Sequence, residues 1–160
     1  MARNLSGEKL IASNPNAHYR YFIHQVLEAG ITLLGTEVKS LRATSPNLKE
    51  AYGEVYTKGK KIEGWLLNAH IAPYSHGNVW NHQPLRKRKL LLHRQELQKL
   101  FGALRQSGMS LIPLRLYFKK GKVKVELGLA KGKKLHDKRE VLKNKAIKKE
   151  MAQALKSMHR

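Results

Sequence analysis

Aromatic and β-branched residues crowd Tyr19-Arg20-Tyr21-Phe22-Ile23-His24-Gln25-Val26-Leu27 and Ile31-Thr32-Leu33-Leu34, on either side of Glu28-Ala29-Gly30. That pattern predicts a hairpin turning at the glycine. Gly35-Thr36 then opens a short helix, with Thr36 as N-cap and Val38 and Leu41 on its inner face, and Ser45-Pro46-Asn47 closes it. Residues 48–71 read as a strand pair around Lys58-Gly59-Lys60, with Trp65, Leu67, Ala69 and Ile71 on one face at period two. Pro73 to Pro84 reads as a loop. From about His93 to Ser107 the period changes: Leu97, Leu100, Phe101 and Leu104 form one helical stripe, and Gly108 follows as its stop. The clearest alternation comes next. Leu114, Leu116 and Phe118 alternate with Arg115 and Tyr117, and beyond the Lys120-Gly121 turn Val123, Val125, Leu127 and Leu129 alternate with Lys122, Lys124 and Glu126. One face of that hairpin is expected to be buried and the other basic.

These elements, about six strands and two short helices, suit an antiparallel α+β domain or a small barrel. Residues 1–18 read as an N-terminal arm, broken by Asn14-Pro15-Asn16, and residues 19–130 as the folded domain. Residues 131–160 read as a basic tail: eleven basic residues stand there against three acidic, a net charge of +8. Ile147, Met151, Ala154, Leu155 and Met158 fall at helical spacing among lysines. One such helix without a neighbour is marginal in water, so the tail is expected to be loose when free and ordered by a polyanion or groove.

Charge narrows the partners. The 160 residues carry 32 Lys+Arg against 11 Asp+Glu, a formal charge of +21. A compact domain so charged repels itself unless a polyanion neutralises it. The cations are interleaved with groups able to stack, namely Tyr19, Tyr21, Tyr52, Tyr74, His93 and His136. Nucleic acid is the expected partner, and RNA is favoured because no helix-turn-helix or zinc-finger pattern appears. A general RNA-binding or ribosomal protein with a basic tail is the alternative.

Other chemistries find little support. The chain contains no cysteine, which removes disulfides, thiolate zinc sites and a cysteine nucleophile. Asp137 is the only aspartate, so paired acids for Mg²⁺ or proton transfer are hard to assemble. Glu28 with Glu37, and Glu50 with Glu54, read as surface charges. The histidines, His76 and His82 included, lack metal-ligand spacing and read as surface or RNA-facing imidazoles. No GxGxxG or P-loop occurs. No apolar run approaches the ~20 residues that cross a bilayer, the start lacks a signal-peptide pattern, and the tail's apolar stripe has no Trp or Phe for a membrane surface. A cytoplasmic, non-enzymatic protein with no cofactor and no membrane role is expected.

Four motifs then appear in order: Gly35-Thr36-Glu37-Val38-Lys39-Ser40-Leu41-Arg42, Lys89-Leu90-Leu91-Leu92-His93, Leu116-Tyr117-Phe118-Lys119, and Ala130-Lys131-Gly132-Lys133-Lys134-Leu135-His136-Asp137-Lys138-Arg139. Together they resemble the SsrA-binding protein (small protein B) family of bacteria, from about Tyr19 to the C-terminus. The resemblance implies a mainly β, α+β fold: a small antiparallel OB-type barrel of about six strands, two to three short helices and a basic tail that is disordered when free and helical on the ribosome. It implies that the barrel binds the tRNA-like domain of transfer-messenger RNA, in complex with alanine-charged RNA and elongation factor Tu. The tail would enter the vacant decoding centre and mRNA channel of stalled ribosomes.

By motif, the implied contacts to the tRNA-like domain are Glu28, Lys39, Arg42, Leu91 and His93, with Tyr19, Tyr21 and Lys124 beside them. Glu28 can accept from base edges or 2′-hydroxyls, Leu91 and His93 can pack on unstacked bases, and the cations can hold phosphates. The implied ribosome-facing residues are Lys131, Gly132, Lys133, Lys134, His136, Asp137, Lys138, Arg139, Lys143 and Leu155, with His136 stacking on a base and Gly132 letting the backbone leave at a sharp angle. Two positions depart from the family pattern. Tyr19-Arg20 stands where a His and an acid are usual, and Ala154 is smaller than the usual Ile.

Overall fold

The computed structural model describes residues 7–158. Its strands are β1 (Glu8–Ser13), β2 (Tyr21–Ile31), β3 (Tyr52–Lys58), β4 (Lys61–Leu67), β5 (Arg88–Leu91), β6 (Met109–Lys119) and β7 (Lys122–Gly132). Its helices are α1 (Ala17–Arg20), α2 (Gly35–Ala43), α3 (Arg94–Leu104) and α4 (Leu135–Met158), with a 3-10 turn at Asn78–Trp80. All pairings are antiparallel. Six strands close a ring in the order β6-β3-β4-β5-β2-β7, because β7 pairs back onto β6. Closure of this kind leaves few strand edges unpaired. The expected α+β barrel is present.

The seventh strand lies in the segment read as an arm. β1 pairs with the second half of β6, Glu8 opposite Lys119 and Ser13 opposite Arg115, while β3 meets the first half of β6 at Gly53 and Leu111. The break that ends β1 is also an anchor. Asn14 is buried, and its Nδ2 donates to the carbonyls of Leu48 and Pro113 at 3.2 and 3.1 Å.

The expected turn at Gly30 does not form. β2 runs straight through, with Glu28, Ala29 and Gly30 opposite Glu126, Val125 and Lys124. Gly30 serves close approach instead of reversal: a Cβ there would lie 3.1 Å from the Leu91 Cβ on the neighbouring strand. β4 turns Gly64 and Leu66 inward, leaving Trp65 and Leu67 half-buried on the opposite face. Asn68, at φ 55°, resets the chain, so that Ala69 and Ile71 return to the core. A period-two reading across that residue puts Trp65 on the wrong face.

The β6–β7 hairpin turns at Lys120 (φ 49°) and Gly121 (φ 75°), as its sequence suggests. Leu111, Leu116, Val123, Val125, Leu127 and Leu129 fill the interior with Leu41 of α2 and Leu100 of α3. The outer face is not uniformly basic. Near the β6 N-terminus, Ile112, Leu114 and Ala130 are buried under Ala17 of α1, with Tyr21 and Ile23 against them. Only the half toward the Lys120-Gly121 turn remains open and polar.

Two polar residues expected at the surface are internal. Glu37 is wholly buried and receives Arg88 Nε at 2.9 Å and Arg86 Nη2 at 2.6 Å. Its second oxygen also accepts the Leu34 N–H at 2.7 Å, so Leu34 caps α2 in place of Thr36. Thr36 Oγ1 instead pairs with Nδ1 of buried His82 at 3.0 Å, and the His82 Nε2 lies 3.1 Å from the Ile71 carbonyl. α3 begins as expected, the His93 N–H donating to Glu96 Oε2 at 2.8 Å.

The boundary of the tail also moves. Lys131 pairs with Phe22 and with Met109, and Gly132 pairs with Tyr21. Both complete β7, so the tail leaves the barrel after Gly132. Gly132 ends β7 without a positive φ, so the exit does not use the left-handed backbone that only glycine adopts freely. Lys133 fixes the exit: its N–H donates to the Arg20 carbonyl at 2.8 Å, its Nζ donates to the His18 carbonyl at 2.8 Å, and that ammonium sits 4.7 Å from the Phe22 ring centroid. Asp137 Oδ2 then accepts the Lys134 N–H at 3.0 Å and caps α4. From Arg139 to Lys156, all positions but Val141 are exposed.

Candidate RNA interface

The open half of the barrel wall presents two adjacent rows of side chains. One row runs across four strands as Leu91, Gly30, Lys124 and Tyr117. The next runs as Glu28, Glu126 and Arg115. With no side chain at Gly30, the first row has a gap between Leu91 and Lys124. A groove lies there, lined by Gly30, Val38, Leu91, Lys122 and Lys124. Leu91 projects beside it, 56% exposed, so it is no part of the core. An apolar side chain and two cations around a bare strip of backbone can take an unstacked base and its phosphates.

Glu28 stands at the edge of this groove. Its Oε2 accepts from Tyr117 Oη at 2.6 Å and from Lys119 Nζ at 2.7 Å. Those two bonds, with the charge of Lys124, outweigh partial desolvation and hold the Glu28 carboxyl below its ordinary pKa. Oε1 makes no hydrogen bond among the described residues. The group is an ionised acceptor with one oxygen taking two donors and the other taking none among the described residues. Burial, followed by the hydrogen bond to Glu28, raises the Tyr117 phenol above its ordinary value. Around them Arg115 bridges Glu126 at 2.8 Å and Glu8 at 3.5 Å, and Lys119 reaches Glu8 at 3.3 Å.

α2 flanks the same end of the barrel. It carries exposed Lys39, 5.7 Å from the Tyr74 ring centroid, and exposed Arg42, 6.0 Å from that of Phe118. Exposed His93 follows Leu91 by two residues, at the start of α3. Glu28, Leu91 and Lys124 therefore share one surface, with Lys39, Arg42 and His93 at its borders. Tyr19 and Tyr21 do not join it. Tyr21 lies seven residues back along β2, about 23 Å at strand rise, and packs on the α1 cluster at the root of the tail.

The tail residues form a separate surface. His136, Arg139, Lys143 and Leu155 are exposed along α4, with exposed Lys134 just before it and Lys138 half-buried in its first turn. His136 Nε2 lies 3.9 Å from Glu140 Oε1. Tyr117, Lys119 and Glu8 were missed from the sequence. The Leu116-Tyr117-Phe118-Lys119 motif held the only signal for the first two, and alternation alone gave Tyr117 no partner.

The family model described as SmpB protein matches residues 11–157. The chain belongs to the SmpB family. The SsrA-binding protein of Pelobacter propionicus is 54% identical over 154 residues, covering 96% of this chain and 99% of that one. That of Geobacter metallireducens is 55% identical over 150 residues, covering 94% and 95%. A solved chain from "tmRNA-SmpB: a journey to the center of the bacterial ribosome" superposes with a TM-score of 0.65 at 42% identity, covering 84% of this chain and 95% of that one.

Proposed function

We propose that this chain is a non-enzymatic RNA-binding protein of trans-translation, binding transfer-messenger RNA and acting with it on stalled ribosomes. The observation that carries the reading is family membership along nearly the whole chain, joined to a barrel face where an ionised acceptor, an exposed leucine and lysines surround a groove. Glu28, Leu91 and Lys124 touch the tRNA-like domain, and Lys39, Arg42 and His93 extend the contact. Glu28 accepts a donor from the RNA, Leu91 packs on an unstacked base, and the cations hold phosphates.

The tail is the ribosomal half. Lys134, Lys138, Arg139 and Lys143 meet rRNA phosphates, His136 stacks on a decoding-centre base, and Leu155 packs in the vacant mRNA channel. α4 is marginal when alone in water and becomes fixed on the ribosome. The RNA cargo is alanine-charged and accompanied by elongation factor Tu, and the cycle takes place in the cytoplasm.

Competition between transfer-messenger RNA and elongator tRNA, read at two salt concentrations, tests the reading. The transfer-messenger RNA is expected to win at both. Equal affinity at matched salt would leave only a general polycation.

A further inference from the structure

We propose that Tyr117, together with Lys119, is a positioning residue that presents Glu28 to RNA with one carboxylate oxygen already occupied. The proposal rests on the reading of Glu28 as an RNA contact and assigns Tyr117 and Lys119 a role in it. A carboxylate in an RNA interface faces two difficulties. It repels phosphates, and its rotamers spread the acceptor over several directions. The barrel wall answers both. Lys119 Nζ, 2.7 Å from Oε2, offsets the charge, and Tyr117 Oη, 2.6 Å from the same atom, fixes the second point of attachment.

The Tyr117 ring cannot follow a wandering carboxylate. It is 1% exposed, and the Arg115 guanidinium lies 4.6 Å from its centroid. Arg115 is itself held by Glu126 at 2.8 Å. With Oε2 saturated, Glu28 offers the RNA its Oε1 alone. A free acceptor oxygen of that kind favours hydrogen-bond donors, a 2′-hydroxyl or an exocyclic amine, over a phosphate. The groups facing Glu28 are Glu8 on β1, Arg115, Tyr117 and Lys119 on β6, and Lys124 and Glu126 on β7.

The test is a cycle of Tyr117→Phe, Glu28→Ala and the double variant in the full chain. Affinity for a tRNA-like-domain fragment is measured from pH 4 to 8, and thermal melts follow the fold. Phenylalanine keeps the packed ring and removes only the hydroxyl. Tyr117→Phe is expected to weaken binding about five- to tenfold in the wild-type background and less than about twofold beside Glu28→Ala. The acid limb of binding should also move up toward the ordinary carboxylate range, a shift that a purely structural role would not produce. Equal weakening in both backgrounds, or an unmoved acid limb, overturns the proposal. If Glu28→Ala binds like the wild type, the assignment of Glu28 itself falls, whatever Tyr117→Phe does. Lys119→Met is the second variant and should repeat the coupling to Glu28→Ala; additive effects there count against the proposal.

Discussion

Arg88 and Glu37 face each other with no exposed side-chain surface on either, Arg88 Nε standing 2.9 Å from Glu37 Oε1. The remaining guanidinium donors reach the carbonyls of Ala69, Arg86 and Pro84 at 2.6, 2.9 and 3.0 Å. One ion pair thereby ties α2 to β5 and to the loops on either side of residues 73–84. It fixes the helix that carries Lys39 and Arg42.

Removing the Glu37 charge leaves the buried Arg88 guanidinium with carbonyl acceptors but no counter-ion. Glu37→Gln is expected to destabilise the barrel by about 3–5 kcal/mol, measured by urea unfolding. A loss under about 1 kcal/mol would mean that water reaches Arg88.

Burial pushes the Glu37 carboxyl up, but the Arg86 bonds, the Leu34 N–H and the Arg88 charge more than reverse it, leaving the group below its ordinary pKa. A lowered native value stabilises the fold above the ordinary carboxylate range and loses that contribution as pH falls through the native value. Stability should decline on acidification below about pH 4.5, and the decline should be shallower in Glu37→Gln. Parallel acid titrations of the two proteins by circular dichroism check this.

Leu91 offers a different separation. As an exposed side chain it should cost under about 1 kcal/mol of stability when changed to alanine, yet weaken RNA binding about five- to tenfold through lost apolar contact. Equal loss of both would return it to the core.

Lys124 is expected to act through phosphate. Lys124→Met should lower the slope of log affinity against log salt by about one unit, with little change in preference between RNAs. An unchanged slope removes it from the phosphate contacts.

Truncation should divide the two surfaces. Ending the chain after Lys134 preserves β7 and the Lys133 latch, so affinity for the tRNA-like domain should stay within a few-fold while tagging of stalled peptides is lost. A cut before Lys131 would also remove the pairs with Phe22, Met109 and Tyr21, and its melting temperature should fall. Normal tagging by the shorter chain would refute the division.

The strong periodicities were legible: α3, the β6–β7 hairpin and its turn follow directly from where apolar residues repeat. Errors arose where a tertiary contact used a residue that local rules assign elsewhere. Gly30 is shaped by Leu91 on another strand, and Asn68 flips the phase after Trp65 through its own backbone. Glu37 looked like a surface charge because nothing local reveals that Arg88 is its partner. The interface was half-legible for the same reason. Glu28 and Leu91 came from motifs and Lys124 stood beside them, but their convergence depends on a strand order that sequence periodicity does not contain.

The latch at Lys133 makes the barrel a fixed mount for a long arm. α4 spans 24 residues, about 36 Å, so a one-degree tilt at its base sweeps the far tip by about 0.6 Å. Wherever α4 holds as one straight helix, small rotations of the barrel are magnified at the distal end, and Leu155 travels far for a slight turn at the Lys133 latch.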